Sequence, residues 1–418
     1  MNTSRSIIAA IAATALSLTP AAVARAATCG GLPATITGTP GDDVISGTPG
    51  DDVIVGMGGA DVIRGKGGDD VICGAKGRDR LLGGAGHDTL IGGTGADTLQ
   101  GGPGDDLLHG KKGTDEADYR DSSSGVTVNL GAGTGMGRGT DVLTRIENVA
   151  GSDFDDSIYG DEERNVLRGR DGFDYINGSG GDDDLLGGGG NGDYLEGGAG
   201  DDLVDGGSSN PGYGDYAFFS ASAAPVTVDL AAGTASGDGN DVLTGIEGMF
   251  GSAHDDVLYG GPGNDSIGGE TGDDLIVGRG GSDNLGGGPG NDDVRGGPGD
   301  DVVSGSTGDD ALDGGAGLDR LDYTTTAGAV TLDLAAGTAT GDGSDTIERV
   351  EIVWGTSGDD VLRGSSMPDV IDGRAGDDVL AGRGGDDTLN GSLGTDDIDG
   401  GPGTDRCIDG EVLARCEL

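Results

Sequence analysis

The chain has 418 residues, 95 of them glycine, and its 75 acidic side chains against 24 basic ones leave a net charge of −51. Aromatic residues make up only 3%. So few large side chains exclude an ordinary globular core, and so acidic a surface excludes nucleic acid as a partner. A disordered polyanion and a repeat structure that needs cations are the two classes left.

Residues 1–26, MNTSRSIIAAIAATALSLTPAAVARA, have Arg5 before an apolar stretch from Ile7 to Leu18, then Ala24-Arg25-Ala26 as a cleavage site. This reads as a Sec-type signal peptide, too short in its apolar run to span a membrane. Cleavage would remove Arg5 and Arg25, take the charge from −51 to −53, and send the chain to the extracellular space. No later segment has the length of apolar residues that a membrane span needs. Cys29, Cys73, Cys407 and Cys416 all follow the cleavage site, and an even number of cysteines in an exported chain predicts two disulfides. Three pairings are open; Cys29 with Cys73 and Cys407 with Cys416 is favoured because each pair lies at one end of the chain.

From Gly38 the chain repeats every nine residues, as GTPGDDVIS, GTPGDDVIV, GMGGADVIR, GKGGDDVIC and onward. Four arrays are predicted: residues 27–118 with an N-terminal cap, 151–214, 251–322, and 355–418 with a C-terminal cap. Three spacers, 119–150, 215–250 and 323–354, separate them and carry the alternating strands VTVNL, VTVDL and VTLDL. Such a period predicts an all-β parallel solenoid, a β-roll, with two units per coil. At ~4.8 Å per coil the arrays alone would total about 70 Å. The pattern breaks at Asn165, near Gly192 and at Met367, where sites are expected to be missing.

Within GGxGxDxUx, glycines let the first six residues turn tightly, and the last three form a short strand whose eighth residue points inward. That residue is aliphatic in unit after unit: Ile45, Ile54, Ile63, Ile72, Leu81, Leu90, Leu99, Leu108. One thin aliphatic row is too little apolar surface to order nine residues, and aspartates stacked on successive coils repel, so a cation must sit among them. Carboxylate and carbonyl oxygens without histidine or thiolate select calcium, and a flexible turn suits it better than octahedral magnesium. The candidate ligands are the position-six aspartates. In the first array they are Asp43, Asp52, Asp61, Asp70, Asp79, Asp88, Asp97, Asp106 and Asp115, and in the second Asp156, Asp174, Asp183 and Asp202. The third supplies Asp256, Asp265, Asp274, Asp283, Asp292, Asp301, Asp310 and Asp319, and the fourth Asp360, Asp378, Asp387, Asp396 and Asp405. In Asp-Asp pairs such as Asp42-Asp43, Asp51-Asp52, Asp105-Asp106 and Asp300-Asp301, the first aspartate is read as a solvated helper or a backbone ligand.

Catalysis has little to stand on. His87, His109 and His254 lie in or beside repeats, with no H-E-x-x-H and no G-x-S-x-G. Tyr119, Tyr216 and Tyr323 are expected to plug the spacer junctions, and Trp354 to cap the join of the third spacer and fourth array. The closing CIDGEVLARC would cover the open end of the solenoid.

The units resemble the RTX (repeats-in-toxin, haemolysin-type) calcium-binding nonapeptide, and IENVAGSDFDDSIYG and IEGMFGSAHDDVLYG are similar to segments that precede such arrays in serralysin-type proteases. The resemblance implies ions between units n and n+2, held by position-six carboxylates and turn carbonyls, up to about 21 in all. A Sec signal and disulfides depart from the usual type I export of that family and argue against toxin or protease activity. The expected function is a secreted, non-enzymatic calcium-binding β-roll that folds on binding calcium. The alternatives are an adhesin or cell-envelope structural protein, and a non-catalytic accessory of an extracellular enzyme.

Overall fold

The computed structural model describes residues 27–210, 212–410 and 412–416, and the segment read as a signal peptide lies outside them. The described residues form 46 short strands and no helix. Successive units alternate between two parallel sheets. Val44–Ser46 pairs with Val62–Gly67 in one, and Val53–Val55 with Val71–Lys76 in the other, so each strand meets the strand eighteen residues on. One sheet runs from Ile36–Thr37 to Arg406–Ile408 and the other from Val44–Ser46 to Val412–Ala414, and each of these four strands has a single partner. The result is a parallel β-solenoid.

Position eight lies between the sheets as expected. Ile54, Ile63, Ile72, Leu81, Leu90 and Leu99 are fully buried, and the same row continues to Ile398. Burial alternates along each strand because side-chain direction alternates; Val71–Lys76 reads half-buried, buried, half-buried over Val71, Ile72 and Cys73. Cys73 thus faces out, where Cys29 reaches it, and the two predicted disulfides form with Cα–Cα distances of 5.6 Å for Cys29–Cys73 and 5.7 Å for Cys407–Cys416.

The spacers continue the ladders rather than interrupt them. In the first, Thr140–Thr144 pairs in parallel with Leu107–Lys112, Thr127–Asn129 pairs in parallel with Ser157–Tyr159, and Thr134–Met136 lies antiparallel between the two. Three strands therefore stand in one sheet where a regular coil has one. In the facing sheet, Glu116–Asp118 stacks directly on Asn148–Ala150. The second and third spacers repeat the device in that other sheet. With 21 and 23 strands stacked, the solenoid is about 100 Å long at ~4.8 Å per strand, well above the arrays alone.

Two aromatic expectations change. Tyr119 and Tyr323 do pack on the core at their junctions, but the counterpart in the second spacer is Phe219, not Tyr216. The unit before that spacer is lengthened, so Tyr216 falls in strand Tyr216–Phe218 with its ring on the outer face, 5.5 Å from Tyr194 and 6.0 Å from Phe250. Trp354 is also on an outer face, with the Arg320 guanidinium 3.7 Å and the Arg374 guanidinium 4.7 Å from its ring centre. The closing segment places Val412–Ala414 as the last strand, paired with Asp397–Asp399.

Candidate metal sites

Position six is the inward end of every turn, and its side chain ties one coil to the next. The carboxylate Oδ1 of Asp61 accepts the N–H of Asp43 at 2.9 Å, Asp79 that of Asp61 at 2.9 Å, Asp97 that of Asp79 at 2.9 Å, and Asp115 that of Asp97 at 2.8 Å. A second row runs Asp52, Asp70, Asp88, Asp106 in the same way. The aspartate before it behaves oppositely. Asp51 is exposed and accepts the N–H of Asp69 from the following coil at 2.9 Å.

The repeats have two turn conformations. In the first two units of each array, the position-two N–H donates to the position-six side chain of its own turn. The pairs are Thr39–Asp43 and Thr48–Asp52 (both 2.6 Å), Ser152–Asp156 (2.6 Å) and Asp161–Asn165 (2.8 Å), Ser252–Asp256 (2.5 Å) and Gly261–Asp265 (2.6 Å), and Thr356–Asp360 and Ser365–Asp369 (both 2.6 Å). None of these position-two residues has a positive φ. In later turns position two flips to the left-handed side. From Met57 to Lys111 its φ lies between 82° and 125°, and position four follows with 96° to 143° from Gly59 to Gly113. The N–H now points away from the aspartate. This also explains the irregular units: Phe154, Glu163, His254 and Met367 replace the position-four glycine only in opening turns, where φ is not positive.

The flip leaves an oxygen bare. In eighteen turns the buried Oδ2 of the position-six aspartate has no hydrogen-bond donor. These are Asp61, Asp70, Asp79, Asp88, Asp97, Asp106 and Asp115, then Asp174, Asp183 and Asp202, then Asp274, Asp283, Asp292, Asp301, Asp310 and Asp319, and finally Asp378 and Asp387. The series begins at the third unit of every array. Position one of each turn is a bare glycine at this point. A Cβ at Gly65 would strike both Asp70 Oδ2 and the carbonyl oxygen of Gly83, so carboxylate and carbonyl oxygens converge there. Desolvation pushes the carboxyls of Asp97 and Asp106 up to about 7 and that of Asp174 to about 8, with like-charged neighbours adding to the shift. By contrast, the Thr48 N–H holds Asp52 below its ordinary value.

Converging hard oxygens without a donor fit a divalent cation. Among the described residues no three histidine, cysteine or acidic side chains form a cluster that could hold a metal. An ion in these turns would therefore complete its shell with main-chain carbonyls, as calcium does with six to eight oxygen ligands. Asp396 and Asp405 continue the rows, accepting the N–H groups of Asp378 and Asp387 at 3.0 Å. Asp43, Asp52, Asp156, Asp256, Asp265 and Asp360, read from the sequence as ligands like the rest, sit in the closed opening turns.

Several acids of the same rows escaped the nine-residue pattern. Asp193 follows an inserted residue, yet it accepts the Asp174 N–H at 2.9 Å and donates its own to Asp215 at 2.7 Å, so the row runs on unbroken past Gly192. Asp369 likewise holds its place in a row despite Met367 and Pro368, donating its N–H to Asp387 at 2.9 Å. Spacer acids finish the rows. Asp141, Asp241 and Asp345 accept from Asp106, Asp202 and Asp310, and Glu147, Glu247 and Glu351 accept from Asp115, Asp215 and Asp319. Tyr119 and Tyr323 donate their hydroxyls to Asp141 (3.0 Å) and Asp345 (2.8 Å). The I-E and V-E ends of the spacers are the sequence signal for the glutamates.

Stacked nonapeptide turns, carboxylate rows and a thin aliphatic core define a calcium-binding parallel β-roll. The family model for the RTX calcium-binding nonapeptide repeat (4 copies) matches residues 35–56, 46–81, 82–117, 159–192, 192–210, 250–285, 286–321, 354–389 and 375–407, more than half of the chain. The chain belongs to this family, and its repeats bind calcium. No curated protein is matched by the chain.

Proposed function

We propose that this protein is a secreted, non-enzymatic calcium-binding rod whose later turns take up ions and whose β-structure depends on them. The observation that carries the reading is the set of eighteen buried carboxylate oxygens without a donor, with a main-chain carbonyl oxygen of the next coil close by in turns such as those of Asp70, Asp97 and Asp283. Left ionised and empty, such groups oppose folding; a cation on each reverses the sign, so metal binding becomes folding free energy. The position-six aspartates from the third unit onward would hold the ions, together with position-one carbonyls. Secretion is supported by the signal-like residues 1–26 and by two disulfides. No helix among the described residues is long and apolar enough to cross a membrane.

The test is circular dichroism with Trp354 emission during a calcium titration from excess chelator. The expected result is a gain of β signal and a change in emission over the millimolar to sub-millimolar range typical of extracellular calcium modules, ~10⁻⁴ to 10⁻³ M. Full β signal in chelator, with neither probe moved by calcium, would sink the reading.

A further inference from the structure

We propose that the first two turns of each array bind no ion, and that they form metal-independent starts on which calcium-driven ordering grows toward the C-terminal side. The inference rests on the reading of the later turns as calcium sites.

Three observations converge on it. The opening turns close on themselves: the position-two N–H occupies the carboxylate that later turns leave bare, and a hydroxyl adds to it from Thr39 (2.9 Å), Thr48 (2.9 Å), Ser152 (2.7 Å), Ser252 (2.8 Å) and Thr356 (2.9 Å). Donors already supplied by the chain remove the need for a cation. Second, in three arrays a side-chain cation from the fourth unit reaches the position-one carbonyl of the second. Lys66 Nζ donates to Gly47 at 2.7 Å, Arg279 Nη1 to Gly260 at 3.0 Å, and Arg383 Nη1 to Gly364 at 3.2 Å. In the second array the amide of Asn165 serves instead, donating to the Glu147 carbonyl at 2.9 Å. Third, the opening turns are anchored to what precedes them. Val126, Val226 and Val330 of the three spacers donate their N–H groups to Asp156, Asp256 and Asp360 at 2.7–2.8 Å. Arg279 and Arg383 also grip Asp229 and Asp333 of the spacers through both guanidinium nitrogens.

These contacts place hydroxyls at the start of all four arrays and a side-chain cation at the start of three. Two of the three breaks in the repeat, at Asn165 and at Met367, fall in second units, where no ion is required. A turn already closed offers a fixed edge, so the next coil pays less conformational entropy to add its strand.

Hydrogen exchange of the full-length protein, read peptide by peptide from excess chelator through saturating calcium, tests this. Peptides over residues 38–55, 251–268 and 355–372 should exchange roughly tenfold or more slowly than those over 74–117 and 287–321 in chelator, and only the latter should gain protection with calcium. Equal, fast exchange of both sets in chelator, with one shared calcium midpoint, would overturn the inference while leaving the calcium reading intact. Protection of 74–117 and 287–321 without calcium would overturn that reading and the inference with it. A second measurement uses a variant with Thr39, Thr48, Ser252, Thr356 and Ser365 all replaced by alanine, counted for bound calcium by equilibrium dialysis. The number of ions should equal that of the parent chain; a loss of several ions would show that these hydroxyls are ligands and refute the proposal.

Discussion

Alanine at position four should be costly in a later turn and harmless in an opening turn of the same array. Gly95 has φ +138°, and a Cβ there would collide with the carbonyl oxygen of Gly77 in the preceding coil, whose N–H is bonded to Thr94 at 2.9 Å. An alanine forced into this region stores about 1–3 kcal/mol of backbone strain, and pushing the ladder apart forfeits about 0.5–1.5 kcal/mol of hydrogen bonding. Gly95→Ala should therefore destabilise its part of the array by about 2–4 kcal/mol. At Gly50 φ is not positive and a Cβ meets nothing within 4 Å. Gly50→Ala should be neutral or stabilise by up to about 1 kcal/mol, through the unfolded chain. A long solenoid does not unfold as one unit, so the readout is local: hydrogen exchange of peptides over 83–117 in saturating calcium, where Gly95→Ala should speed exchange roughly 30-fold or more. Equal effects of the two substitutions, or a larger effect at Gly50, would refute the existence of two turn conformations.

Asp301→Ala should raise the calcium midpoint of the third array more than Asp300→Ala, because Asp301 is buried with a bare oxygen while Asp300 is exposed and accepts the Leu318 N–H at 2.9 Å; equal shifts would contradict the ligand assignment. Carboxyls raised from 3.8 to between about 6 and about 8, such as Asp79, Asp97 and Asp174, bind more protons in the ion-free fold than in the unfolded chain. Their contribution to stability is full below 3.8 and is lost as pH rises through the folded values, so in chelator β signal should grow as pH falls from 8 to 4. Protons and calcium compete for the same oxygens, so the calcium midpoint should rise over that descent; circular dichroism in both conditions checks the pair of signs. Leu90→Ala, in the fully buried row, should cost about 2–5 kcal/mol in the same exchange assay. Arg320→Met should red-shift or quench Trp354 emission by baring the ring face it covers, and an unchanged spectrum would contradict the stacking.

Much of this molecule follows from its nine-residue count. Glycine for the turn, aspartate at position six and a single aliphatic at position eight give each residue one environment, and strand alternation does the rest; the buried row from Ile54 to Ile398 and the outward Cys73 were legible on that basis. The count failed where spacing changed. Asp193 and Asp215 bond to residues nineteen and twenty-two positions back, and Phe219 packs where Tyr216 was expected, because an insertion in a turn leaves the strands in register while shifting every number after it. The spacer acids were hidden for the same reason: their partners lie 32 to 39 residues back, and only the folded stack brings them into the rows.

By itself, then, the sequence determined the coil, its thin core and the chemistry of its ion, since those depend on neighbours a fixed distance along the chain. The tertiary structure decided which turns are bare and which are closed. A GTPGDD turn at Thr48 and a GKGGDD turn at Lys66 carry the same aspartates. What separates them is place in the stack: a turn with a repeat turn before it in the same sheet has position two flipped and the carboxylate left for an ion, and a turn that follows the cap or a spacer satisfies itself.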